Sequence, residues 1–215
     1  METQLEKLKE VQKEAWNKSS AGYNKWSNVW MSLNPMTDEI IQLLRLRDDD
    51  NVMDVATGTG EPGLSIATML RQGKVVATDL SESMLAVAAA NAANRGINNF
   101  ETVCCDVSAL PFQDATFTAI SCRLGFMLFP DMQIALKEMI RVLKPGGRIA
   151  ASVWSAPEKN PWLSVNQETM ISMLQLKRPM PGAPGAFRCF TSSASGSSPF
   201  SRATVARVRF FGRKG

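Results

Sequence analysis

Polar and apolar positions follow two rhythms along this chain. Leu5, Leu8, Val11, Ala15 and Trp16 recur at helical spacing with Lys and Glu between them, which predicts an amphipathic helix over about 3–18. A Trp-rich stretch from Tyr23 to Trp30 follows. Asn34 then precedes Pro35 as a cap before a first-turn proline, and Ile40, Ile41, Leu43, Leu44 and Leu46 give that helix its apolar side. From residue 51 the rhythm changes to short apolar runs alternating with helical segments. Strands are expected at 51–56, 74–79, 99–105, 117–123 and 148–154. The intervening helices start at Pro62, at a Ser81 cap with a stop near Gly96, and at about 131–143, closed by Pro145-Gly146-Gly147. Alternation at this pitch implies right-handed crossovers and a doubly wound α/β fold, a mainly parallel sheet with helices on both faces.

The first strand runs straight into glycines. In Val52-Met-Asp-Val-Ala-Thr-Gly-Thr-Gly-Glu-Pro-Gly63, Gly58, Gly60 and Gly63 spell G-x-G-x-x-G, and Asp79 closes the next strand. Taken alone, this is the dinucleotide pattern, in which amides hold a pyrophosphate and the acid a ribose. Asp54, four residues before Gly58, argues for a ligand carrying a cation, since a carboxylate there would repel phosphate. A bland role is open to it as well, bonding the amides of its own turn. Ligands of such sheets sit beyond the carboxyl ends of the strands. Asp54, Asp79 and Asp106 end three successive strands there, and Cys122-Arg123 ends the fourth. Asp79 can accept from two ribose hydroxyls at once, Asp106 from an exocyclic amine while the Val107 amide donates to the ring. Leu80 and Met84 can pack on a purine or simply fill the helix–sheet core.

Composition removes several alternatives. The 215 residues, 45% hydrophobic, suit one core with appendages. The absence of histidine excludes a Ser-His-Asp triad and His-liganded metal. Cys104, Cys105, Cys122 and Cys189 lack metal or redox spacing and read as small buried hydrophobes of a reducing cytoplasm, so no metal is expected. No apolar run approaches the ~20 residues of a membrane span, and the charged start lacks the apolar stretch of a signal peptide. The net charge of +4 hides a division: up to Glu168 there are 16 basic and 20 acidic residues, and after it 8 basic and none acidic. That basic tail is rich in Ser and Gly, a poor match to a tracker of nucleic-acid phosphates.

With these residues in place, the chain resembles the class I S-adenosylmethionine-dependent methyltransferases, in particular the ubiquinone/menaquinone C-methyltransferase-like group. The resemblance rests on Val52–Gly60, with Ala56 where many members carry glycine, and on Val76-Ala-Thr-Asp-Leu-Ser-Glu-Ser-Met-Leu85. It continues through Asp106 with Leu110-Pro-Phe-Gln-Asp114 and Phe117, and Arg141-Val-Leu-Lys-Pro-Gly-Gly-Arg148. It implies a Rossmann-like sheet of order 3-2-1-4-5 and S-adenosyl-L-methionine as cofactor. Asp54, Ala56, Thr57, Gly58 and Gly60 would face the methionine moiety, Asp79 the ribose, Asp106 and Val107 the adenine, and the backbone around Cys122 and Arg123 would line the floor beneath the sulfonium. Tyr23 and Trp26 resemble a lid. Methyl transfer from a sulfonium needs little acid–base chemistry, and positioning alone can supply ~7–11 kcal/mol. Arg123 and Tyr23 are the candidate catalytic side chains, Arg123 by stabilising an enolate or phenolate.

The expected organisation is a lid segment over 1–33, a cofactor domain over 34–165 and an atypical basic, Ser/Gly/Pro-rich tail over 166–215. The tail offers one edge strand near 203–211, so the family's C-terminal antiparallel pair is expected to be incomplete. The leading expectation is methylation of a small-molecule acceptor. A non-catalytic module that binds the same cofactor is the alternative.

Overall fold

The computed structural model describes residues 3–30, 35–154, 161–175 and 203–209. Its elements are α1 (Gln4–Trp30), α2 (Pro35–Leu44), β1 (Asn51–Val55), α3 (Gly63–Met69), β2 (Lys74–Asp79), α4 (Glu82–Asn94), β3 (Phe100–Cys104), β4 (Phe117–Arg123), α5 (Met132–Val142), β5 (Leu143–Trp154), α6 (Pro161–Leu174) and β6 (Ala203–Arg209). The strands form one sheet in the order β3-β2-β1-β4-β5-β6. The first five are mutually parallel and β6 lies antiparallel to β5. This is the expected 3-2-1-4-5 order, with the antiparallel β6 added at the edge beside β5. The stretch 179–198 and the Asn34 cap lie outside the described residues.

Successive side chains of a strand point to opposite faces, so each strand feeds two apolar layers. Met53, Ile120 and Ile149 meet Ala135, Met139 and Val142 of α5 on one face. Their neighbours Val52, Ala119 and Ala150 meet Ile40 and Leu44 of α2 and Ile66 and Ala67 of α3 on the other. Burial on both faces explains why the strands read as continuous apolar runs. Arg148 ties the layers at the opposite end from the glycine loop: its Nη2 donates to both Asp50 carboxylate oxygens, at 2.9 and 2.8 Å.

Two boundaries depart from expectation by more than a residue or two. β5 starts at Leu143, before the Pro-Gly-Gly turn, because Leu143 pairs with Phe117 and the register then shifts before Ala119 meets Arg148. Helix α1 runs to Trp30, well past residue 18. Among the described residues it contributes nothing to either apolar layer and is fastened by side-chain hydrogen bonds instead. Asn17 Oδ1 accepts from Ser81 Oγ (2.6 Å) and the Ser83 amide (3.2 Å), and Asn24 Oδ1 accepts from Asn91 Nδ2 (3.0 Å). Among the described residues, no helix is long and apolar enough to cross a membrane.

Ser81 therefore does two things: its Oγ caps α4 by accepting from the Met84 amide at 3.1 Å, and it holds α1. Ser81→Ala is expected to cost about 1–2 kcal/mol, at or above the usual loss of an N-cap. A urea unfolding midpoint measures this.

Candidate active site

A cleft opens at the carboxyl ends of the strands, where ligands of such sheets sit. Its base is the turn after β1. Gly58 adopts φ +57° and Ala56 φ +53°. The glycine takes this left-handed conformation freely, whereas in alanine it costs about 1–2 kcal/mol. The turn is pinned to the next strand: the Gly58 amide donates to Asp79 Oδ2 (2.9 Å), the Ser81 amide to Asp79 Oδ1 (2.9 Å), and the Thr57 amide to the Thr78 carbonyl (3.0 Å). Burial pushes the Asp79 carboxyl up, partly offset by these amides. A carboxylate has about four acceptor sites, so two bonded amides leave capacity for a ligand.

Ala56, Thr57, Gly58, Asp79, Leu80, Met84, Asp106, Val107, Arg123 and Tyr23 all line this one cleft. Asp54, Gly60 and Cys122 are not among the lining residues. Asp54 is fully buried and turned inward. Its Oδ2 accepts from Thr57 Oγ1 (2.6 Å) and the Gly63 amide (3.1 Å), and its Oδ1 from Ser121 Oγ (2.6 Å). It braces the loop from behind and does not line the cleft, and burial raises its pKa to about 6. Gly60 does not line the cleft either: a Cβ there would lie 2.5 Å from Leu64 Cδ1, so its role is close packing of α3. Cys122 faces the α5 layer, where burial pushes its thiol far up. Among the other cysteines, Cys104 is exposed rather than buried. Cys105 lines the cleft, its thiol pushed up to about 12 by burial.

Several lining residues carried no sequence signal. Helix α1 supplies Lys9, Gln12 and Trp16 beside Tyr23, and the turn after β4 supplies Leu124, Gly125, Leu128, Phe129 and Pro130. Lys9 Nζ pairs with Asp106 Oδ2, and the Ser108 amide donates to Oδ1 at 2.8 Å. Partial burial would raise the Asp106 pKa, but these two bonds outweigh it and hold the carboxyl below its ordinary value. Gln12 Nε2 donates to the Leu128 carbonyl at 2.9 Å. Trp16 and Tyr23 meet edge to face with centroids 5.8 Å apart. The Trp26 side chain lies outside the described residues. Glu61, just past the loop, also lines the cleft and could have been read as a neighbour of the glycines.

Gly125 is confined. A Cβ there would fall 2.5 Å from Ala56 Cβ and 3.2 Å from Cys122 Sγ. Gly125→Ala is expected to cost about 1–3 kcal/mol through overpacking and to push Ala56 into the cleft. Thermal unfolding reads the first effect, and ligand affinity the second.

The model of the ubiE/COQ5 methyltransferase family matches residues 5–174. The UbiE ubiquinone/menaquinone biosynthesis C-methyltransferase of Francisella tularensis subsp. novicida is 40% identical over 114 residues, 52% of this chain and 46% of that protein. The demethylmenaquinone methyltransferase of Listeria monocytogenes serotype 4a is 32% identical over 168 residues, 76% of this chain and 69% of that protein. The chain thus spans about half the length of the Francisella relative that it matches. The solved structure of a SAM dependent methyltransferase from Aquifex aeolicus aligns with a TM-score of 0.53 at 27% identity, covering 55% of this chain and 64% of that one.

Proposed function

Because the chain belongs to the ubiE/COQ5 methyltransferase family, we propose that it transfers a methyl group from S-adenosylmethionine to a small-molecule acceptor. The observation that carries this reading is Asp79: a partly buried carboxylate at the end of β2, fixed by the Gly58 and Ser81 amides and facing the cleft. That is the acceptor a ribose diol requires. The donor set of the cleft fits the rest of an adenosyl ligand. Leu80 and Met84 offer apolar surface to a purine, Val107 an amide and Asp106 a carboxylate. For Asp106 to accept from an exocyclic amine, Lys9 must share that oxygen or withdraw.

When bound, the cofactor supplies a methyl group already activated on a sulfonium. The chain's own residues bind, orient and exclude water, the work to which positioning contributes ~7–11 kcal/mol. On this reading α1 is the lid, closing over the cleft through Trp16 and Tyr23. The acceptor lies beneath it against Leu124, Leu128, Phe129 and Pro130, an apolar wall suited to an organic molecule. With no histidine in the chain, the acceptor is one that reacts without a histidine base.

Calorimetry tests the cofactor and a mass-spectrometric panel tests the acceptor. S-adenosylhomocysteine is expected to bind at micromolar strength and NAD not at all. Incubation with S-adenosylmethionine and small organic acceptors is expected to yield a product 14 Da heavier. Binding of NAD in place of S-adenosylhomocysteine would overturn the reading.

A further inference from the structure

With Asp54 turned inward, the charged end of an amino-acid group needs other partners in the cleft. Three side chains from separate parts of the chain line the same cleft. Arg123 ends β4, is only 8% exposed and lines the cleft. Its Nη1 donates to Thr37 Oγ1 at 2.9 Å, which fixes the guanidinium against α2. Tyr23 comes from α1, with Cε1 3.8 Å from where a Gly58 side chain would begin, so its ring covers the glycine turn. Its hydroxyl lies in the electrostatic reach of Arg123, and both are largely withdrawn from water. Glu61 completes the set, held by Arg95 Nη1 (2.6 Å) and Ser65 Oγ (2.7 Å) and interacting electrostatically with Arg123.

The strand order places this group away from the adenine end. Asp106 follows β3, while Arg123 lies on β4, across β2 and β1. Three strand spacings make about 14 Å, a span suited to an adenosine joined to an amino acid. We infer that Arg123 and Tyr23 take the α-carboxylate of the cofactor and Glu61 its α-ammonium. The cleft thereby selects ligands with an intact zwitterionic end. The inference rests on the S-adenosylmethionine reading and deepens it. A planar guanidinium suits a carboxylate and a phenol adds one donor, whereas a fixed carboxylate suits an ammonium. It also gives Arg123 a cofactor-binding role in place of stabilising an acceptor oxyanion.

Calorimetry with three ligands tests it: S-adenosylhomocysteine, decarboxylated S-adenosylmethionine and 5′-methylthioadenosine, which lacks the amino-acid end. Arg123→Gln is expected to weaken S-adenosylhomocysteine by about 10–100-fold, the range for hydrogen bonds to a charged group, and to leave the other two unchanged. Tyr23→Phe removes a single hydroxyl without disturbing the core and is expected to act in the same direction by about tenfold. Glu61→Gln is expected to weaken S-adenosylhomocysteine and the decarboxylated ligand but not 5′-methylthioadenosine. Equal weakening of all three ligands by Arg123→Gln and by Tyr23→Phe would overturn the inference, as would unchanged affinity for S-adenosylhomocysteine in both. If the wild-type chain binds none of the three, it is the cofactor reading itself that fails.

Discussion

Replacing Asp79 with alanine is expected to lower affinity for S-adenosylhomocysteine by about 10²–10⁴-fold, the largest loss at any single position in the cleft. Two hydrogen bonds from ribose hydroxyls to an ionised carboxylate, each worth about 1.5–3 kcal/mol, account for that range. The substitution also frees the Gly58 and Ser81 amides, which now converge on the two Asp79 oxygens at 2.9 Å. The loop loses its anchor together with the ligand. Asp79→Asn separates the effects, since it keeps the size and one acceptor oxygen but gives up the charge. Its loss is expected to be about 10–100-fold, nearer that of one charged bond. Because burial raises the Asp79 pKa, affinity is expected to weaken on the acid side at a higher pH than for an ordinary carboxylate. Calorimetry at several pH values checks both points. Unchanged affinity in Asp79→Ala would remove the cleft from consideration as a nucleoside site.

Asp54→Ala is expected to cost about 3–4 kcal/mol of folding stability, because a buried amide is left unsatisfied, two buried hydroxyls lose their acceptor and a small void remains. The Gly63 amide, Thr57 Oγ1 and Ser121 Oγ all now donate to this one carboxylate. Its pH signature distinguishes Asp54 from an ordinary structural acid. The carboxyl titrates near 6 in the folded chain and near 3.9 when unfolded. Between these values the folded state holds more protons, so stability falls as pH rises. The contribution is fully present below about 4 and is lost by about 6, some 3 kcal/mol in size. Above about pH 6 no further change is expected from this group. Asp54→Asn is expected to abolish this slope, so urea midpoints followed from pH 4 to 6 should fall in the wild type and lose that fall in the variant. Parallel slopes in the two proteins would contradict the assignment.

The fold was legible because buried parallel strands and amphipathic helices leave strong periodic signals. Lys74–Asp79 and Phe117–Arg123 were delimited from sequence to the residue, since turn residues bracket both. The extension of α1 was not legible, because it depends on asparagine bonds to α4, and polar contacts between distant segments leave no period. The inward turn of Asp54 follows from its register opposite Ser121, 67 residues away. No local pattern reports that distance. Likewise the face chosen by Cys122 was settled only when β4 paired between β1 and β5. Where the backbone itself makes the site, as at Gly58, the motif sufficed. Where the wall comes from another element, as with Lys9 and Gln12, it did not.

One wall of the cleft is a helix that adheres by ion pairs and amide bonds rather than by grease. Lys9–Asp106 and Lys13–Glu82 are partly exposed, so dissolved ions compete with them within a Debye length of about 8 Å at 0.15 M. Traffic through the mouth therefore answers to ionic strength: added salt loosens the wall and quickens ligand departure, while the interior grip of Asp79 on its ribose changes far less. The mouth and the ribose site are thus held by different bonds, and Tyr23, carried on the same helix, links one to the other.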